Sequence, residues 1–225
     1  MKTILFFLLM MISPVSMAGR DQGVEAPSFV TLDAIPVCHD FGCKNSTVVS
    51  LPLHEWKEVT GWFKTAAETP EEEREQIKQA IGWMEVLIGR HSPTHKDLAF
   101  DLPPELDDVS HLFPGQQDCI DEAVNTTTYL RLLELNGMFK HHTVIEQAYR
   151  SAILDQHWAG QIRELVSGER YVVDSWFQPN GYLPVIQASK DWEDISPLSA
   201  VVDDSPRGDQ TQEEVSFWKR VFQPQ

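Results

Sequence analysis

Apart from a short pattern near the C-terminus, helical punctuation in this chain ends at Asn136-Gly137, and that boundary constrains the fold more than any other feature. Before it, Thr69-Pro70-Glu71-Glu72-Glu73 combines a capping hydroxyl, a proline suited to a first turn and glutamates that complement the helix dipole. Ile77, Ala80, Ile81, Met84, Leu87 and Ile88 then recur on one face until Gly89. A second helix is predicted from Cys119 to Leu135, with Asn136-Gly137 as its stop. A third pattern, His54 to Ala67, sets Trp56, Val59, Trp62 and Phe63 at helical spacing. After Gly137 come strand-type runs at Val144 to Ala148, Gln156 to Leu165 and Arg170 to Phe177, then a shorter one at Leu183 to Gln187. Helices followed by strands predict an α+β fold, with helices packed on an antiparallel sheet.

The ends of the chain carry different signals. Lys2, the apolar stretch Ile4 to Ile12 and the small-residue site Ser16-Met17-Ala18 read as a secretory signal over residues 1–18. Its apolar core is too short to cross a bilayer, so it reads as a cleaved leader rather than an anchor. The remainder divides into one domain, 19–200, and a polar C-terminal extension, 201–225. In that extension Val215, Trp218 and Val221 suggest a short helix from Thr211 to Phe222. A net charge of -16 excludes nucleic acid and anionic membrane surfaces as natural partners. With 42% hydrophobic residues, the domain can build a real core.

Three cysteines in an exported chain leave one over. Cys38 and Cys43 are close, with Gly42 easing a tight loop, and an oxidising compartment favours a disulfide between them. The competing reading is a metal site from Cys38, His39 and Cys43, but no second ligand pair follows. Cys119 is then a free thiol, and it opens a helix, where the dipole and free N–H groups favour thiolate. His157 begins a strand-type run, and Asp174 lies in the next one beyond the turn Ser167-Gly168-Glu169. Such a hairpin makes His157 and Asp174 cross-strand neighbours, a base and the acid that orients it. His141 and His142 are adjacent and read as surface residues.

In order, element type and local context, Asp118-Cys119-Ile120-Asp121-Glu122-Ala123, His157-Trp158-Ala159-Gly160 and Val172-Val173-Asp174-Ser175-Trp176 resemble the transglutaminase-like cysteine hydrolases of the papain-like superfamily. The resemblance is closest to the bacterial transglutaminase-like cysteine proteinases and runs from about Pro114 to Phe177. It implies a papain-like core and an exported, periplasmic cysteine peptidase with a Cys119-His157-Asp174 triad acting through a thioester. The same site with an amine acceptor would be a transglutaminase or amidase, and a non-catalytic binding module would retain the fold without the chemistry. Its substrate would be a protein or peptide. The oxyanion would meet the Cys119 backbone N–H, with the Gln116 or Gln117 side chain as an unranked second donor.

In the resembling proteinases acidic residues around the cysteine bind calcium. Asp118 and Asp121 match that pattern, whereas Ile120 stands where an acid is expected. The residues therefore predict weak calcium at Asp118 and Asp121 at most, and no required cofactor. The alternative role for Asp118 is a helix cap, with Asp121 and Glu122 favouring the first turn. From His91 to Gly115 the chain is rich in proline and acid and reads as a long loop approaching the nucleophile.

Overall fold

The computed structural model describes residues 23–98, 114–152 and 155–194. The leader, the Thr211 to Phe222 helix and most of the loop before Pro114 lie outside the described residues. None of the described helices is long and apolar enough to cross a membrane.

The chain is α+β. A hairpin of β1 (Ile35–His39) and β2 (Asn45–Val49) is followed by α1 (Leu53–Thr60) and α2 (Pro70–Gly89). Then come α3 (Cys119–Leu135), β3 (His142–Val144), β4 (Ala148–Ala152), β5 (Asp155–Glu164), β6 (Arg170–Asp174), β7 (Val185–Ala188) and the short α4 (Ser189–Glu193). The larger sheet is antiparallel in the order β3-β5-β6-β7, with β4 pairing the other half of β5.

The α2 signals are realised as read: Thr69 accepts from the Glu72 N–H, Pro70 is the first helical residue, and the six predicted apolar residues are fully buried. They join Leu130, Leu132 and Leu133 of α3, Ile162 of β5 and Val173 of β6 in one core. α3 also ends as predicted, with Gly137 in the left-handed region at φ 73°. Gly160 is what lets α3 lie against β5, since a Cβ there would come within 2.9 Å of the Thr126 methyl.

Several boundaries differ from the sequence reading. α1 stops at Thr60 and continues only as a 3₁₀ turn, Gly61–Phe63, because Gly61 is a poor helix residue at its C-cap. The predicted strand Val144 to Ala148 is a junction instead: β3 ends at its start and β4 begins at its end, both on β5. β6 stops at Asp174, where the chain turns and the Gln178 N–H bonds to the Ser175 carbonyl. Strand β1 was hidden by Pro36 and by the brevity of its apolar pattern.

His142 is a correction as well. It is buried, with Nδ1 2.9 Å from Glu73 Oε1, and Glu73 also accepts the backbone N–H groups of Lys140, His141 and His142. Glu73 lies 69 positions before His142, so the partnership left no local trace in the sequence. Burial raises the Glu73 carboxyl, but the His142 ring and those N–H groups outweigh it and hold the pKa below the usual range.

Candidate active site

Cys119 is the first residue of α3 and Asp118 is its N-cap. Asp118 Oδ1 accepts the N–H groups of Ile120 and Asp121, and Asp121 Oδ2 accepts the Asp118 N–H, completing a capping box. The pair is then clasped from outside by the β1–β2 turn. Asp40, Phe41, Gly42 and Cys43 all have φ between 56° and 69°, a run of left-handed residues that aims successive N–H groups one way. Phe41 and Cys43 donate to Asp121 and Gly42 donates to Asp118.

Two further links secure the turn. The Cys38–Cys43 disulfide closes it, as expected, and Asn125 of α3 bonds both the N–H and the carbonyl of Cys38. The alternative metal reading of Cys38, His39 and Cys43 is corrected by this bonding. Although Asp121 lies beside the two sulfurs, they are joined to each other, and the His39 ring is held by Asp40 and Thr47.

The same bonds bear on calcium. All four carboxylate oxygens of Asp118 and Asp121 face N–H donors, so they point at positive hydrogens and not into a space for a cation. These residues do not fit a bound calcium ion in this arrangement.

His157 and Asp174 meet as the hairpin reading expected: Nε2 lies 2.8 Å from Asp174 Oδ2, and both residues are buried. Gly160 stands opposite Val173, so Asp174 faces Ala159, an alternate position from His157 on the same side of the sheet. That side is covered by α4. Gly160 and Val173 turn the other way, toward α3.

The backbone N–H groups of Trp158 and of Cys119 itself favour the charged form of the thiol. His157 Nδ1 is buried without a hydrogen-bond partner, so the imidazole is held by Asp174 on one side and open on the other. The bond from Nδ1 to the thiol is not made.

Electrostatics here run against the simple dipole expectation. Burial pushes the Cys119 thiol up to about 12, with the negative charges of Asp118 and Asp174 adding to the rise; the two N–H groups offset only part of it. Behind Cys119 other acids are also driven toward neutrality. Burial raises Asp121 to about 8, reinforced by Asp118, and raises Glu85 to about 7 despite the Ser175 and Gly181 donors. Glu122 is buried beside Glu85, Asp97, Asp121 and Asp174 and lies well above the carboxylate range. Glu85 Oε1 has no hydrogen-bond partner.

Gln116 and Gln117 are both internal. Gln116 receives the Leu98 N–H and donates to the Lys96 carbonyl, while Gln117 donates to Glu122 and accepts from Asn125. Each amide shapes the approach to α3, and an oxyanion role would require releasing those bonds.

The sequence reading missed four participants: the Trp158 backbone N–H, the left-handed turn, Asn125 and Trp192. Gly42 marked a tight loop at the turn, and Asn125 lies eight positions after Gln117, but neither pointed to the partners found here. No protein-family model, curated protein or solved structure matches this chain.

Proposed function

We propose that this protein is an exported cysteine hydrolase of papain-like, transglutaminase-like type, acting on a peptide or protein through Cys119, His157 and Asp174. The observation that carries the reading is the buried His157–Asp174 bond with Nδ1 left unpartnered, on the strand against which the helix opened by Cys119 packs. A buried imidazole with one side oriented by a carboxylate and the other unpartnered suits a general base.

Its chemistry follows from the groups present. The Cys119 thiol gives its proton to His157 Nδ1 as the sulfur attacks the substrate carbonyl. The developing oxyanion lies near the Cys119 N–H, and the imidazolium, balanced by Asp174, returns the proton to the departing amine. Water then cleaves the thioester, with His157 accepting its proton. Substrate binding has to bring Nδ1 and Sγ together, since catalytic hydrogen bonds often tighten only in the complex. Export to the periplasm accords with the leader and with a disulfide. Calcium is not part of the mechanism.

One observation favours a second reading, a non-catalytic binding module: the thiol raised to about 12, with no bond to His157. Alkylation of Cys119 by iodoacetamide near pH 7 separates the two. The hydrolase reading expects reaction that His157→Gln slows by tenfold or more, on the order of one charge-assisted hydrogen bond. It also expects peptide hydrolysis lost in Cys119→Ala, with the fold kept. An inert thiol together with no hydrolysis would leave the binding module.

A further inference from the structure

Trp192 lies on α4, immediately after β7, and is fully buried against Ala148, Ala159 and Val172 of three successive strands. Its indole Nε1 donates to Asp174 Oδ2 at 3.0 Å, the same oxygen that meets His157 Nε2 at 2.8 Å. The ring also stacks near the imidazole, centroids 5.5 Å apart and planes inclined at 37°. Trp192 is itself held. The Arg150 guanidinium sits 4.5 Å over its ring, and Arg150 Nη1 donates to its backbone carbonyl at 2.9 Å. Arg150 stands directly opposite His157 in the β4–β5 register, so the strand that pairs with the histidine also secures the tryptophan.

Resting on the hydrolase reading above, we propose that Trp192 is the positioning residue of the site: it fixes the rotation of the Asp174 carboxylate and thereby the direction of His157 Nδ1. A carboxylate bonded by the imidazole alone could turn about its Cβ–Cγ bond and tilt the ring with it. Two donors on one oxygen remove that freedom. The stacked indole also keeps water from the bond, and a charge-assisted hydrogen bond is stronger where water is excluded. Trp192 touches neither thiol nor substrate, so its effect belongs to the proton-transfer step and not to binding.

The test compares Trp192→Phe, which keeps an aromatic ring and loses the donor, with protein carrying benzothienylalanine at position 192, an indole isostere with sulfur in place of N–H. The isostere guards against a Phe variant that fails to fold. Two readouts apply: peptide hydrolysis, and the pH dependence of Cys119 alkylation by iodoacetamide. The charged and titrating groups beside His157 and its partners are Arg150 on β4, Asp174 on β6, and Cys119 on α3 with Asp118 acting on the thiol and Glu122 on Asp174; none is substituted in either protein.

In both proteins kcat should fall by about tenfold to a hundredfold, the range for a hydrogen bond to a charged group, with KM within about twofold. The alkylation midpoint should move to higher pH, because a poorly held imidazolium supports the thiolate less. An inflection present in the parent protein and unmoved in the isostere overturns the Trp192 assignment alone. A parent protein whose alkylation has no inflection that His157→Gln removes overturns the hydrolase reading, and this assignment with it.

Discussion

At the scale of single residues, the sequence located the polar groups better than it predicted their states. Cys119, His157 and Asp174 stand where the motifs place them, and the cap and disulfide are as read. Their protonation was not legible, because it depends on burial and on partners from distant segments. The helix dipole favours a thiolate at Cys119, but desolvation is the larger effect in this arrangement. The acids beside it show the same principle. Asp118 and Asp121 resembled cation ligands in sequence, yet half of the N–H groups that satisfy them come from residues 76 to 80 positions away. Hydrolysis should therefore continue unchanged in excess chelator, and calorimetry should give no micromolar calcium affinity; inactivation by chelator that calcium reverses would contradict this.

At the scale of elements, the long periodic helices were legible from end to end and the strands only in outline. α2 and α3 carry caps and stop signals in their own residues, and α2 an apolar face as well. β3 and β4 share one partner, so neither shows a complete strand pattern, and the junction between them looked like a strand. α4 was missed altogether: it is too short to show periodicity, and its importance comes from contacts. The seam between α3 and β5 depends on a missing side chain. Gly160→Val would drive methyls toward the Thr126 side chain and the Leu130 methyl, and overpacking of this kind costs about 1–3 kcal/mol. Because α3 carries Cys119, the loss of activity should exceed that expected from stability alone. Urea melts measured beside hydrolysis rates at a temperature where the variant remains folded would check this.

At the scale of the whole molecule, the buried acids set the pH dependence of stability. Glu85 rises from 4.5 to about 7 and Asp121 from 3.8 to about 8, and burial raises Glu122 as well. Between about pH 4 and pH 8 the folded chain thus holds protons that the unfolded chain releases, so stability falls as pH rises through that window. Glu73 works in the opposite sense: its pKa is lowered, and its contribution disappears as acid protonates it. Maximum stability is expected on the acid side of neutrality. Glu85→Gln should flatten the decline between about pH 4.5 and 7, removing a penalty on the order of 3 kcal/mol at the alkaline end. Thermal melts of both proteins across that range provide the check, and parallel profiles would count against a raised Glu85.

The left-handed turn has a consequence for the order in which the protein is made. Phe41 precedes its partner Asp121 by 80 positions, so the clasp is completed only after α1, α2 and the following loop have been threaded between them. Contacts of such long range close late, after local helices have formed. α3 can exist before its first turn is clasped, with two adjacent carboxylates and no loop to receive them. On the export proposed above, the setting of Cys119 would be gained last of all, where Cys38 and Cys43 pair, and the chain would travel there with that site unassembled.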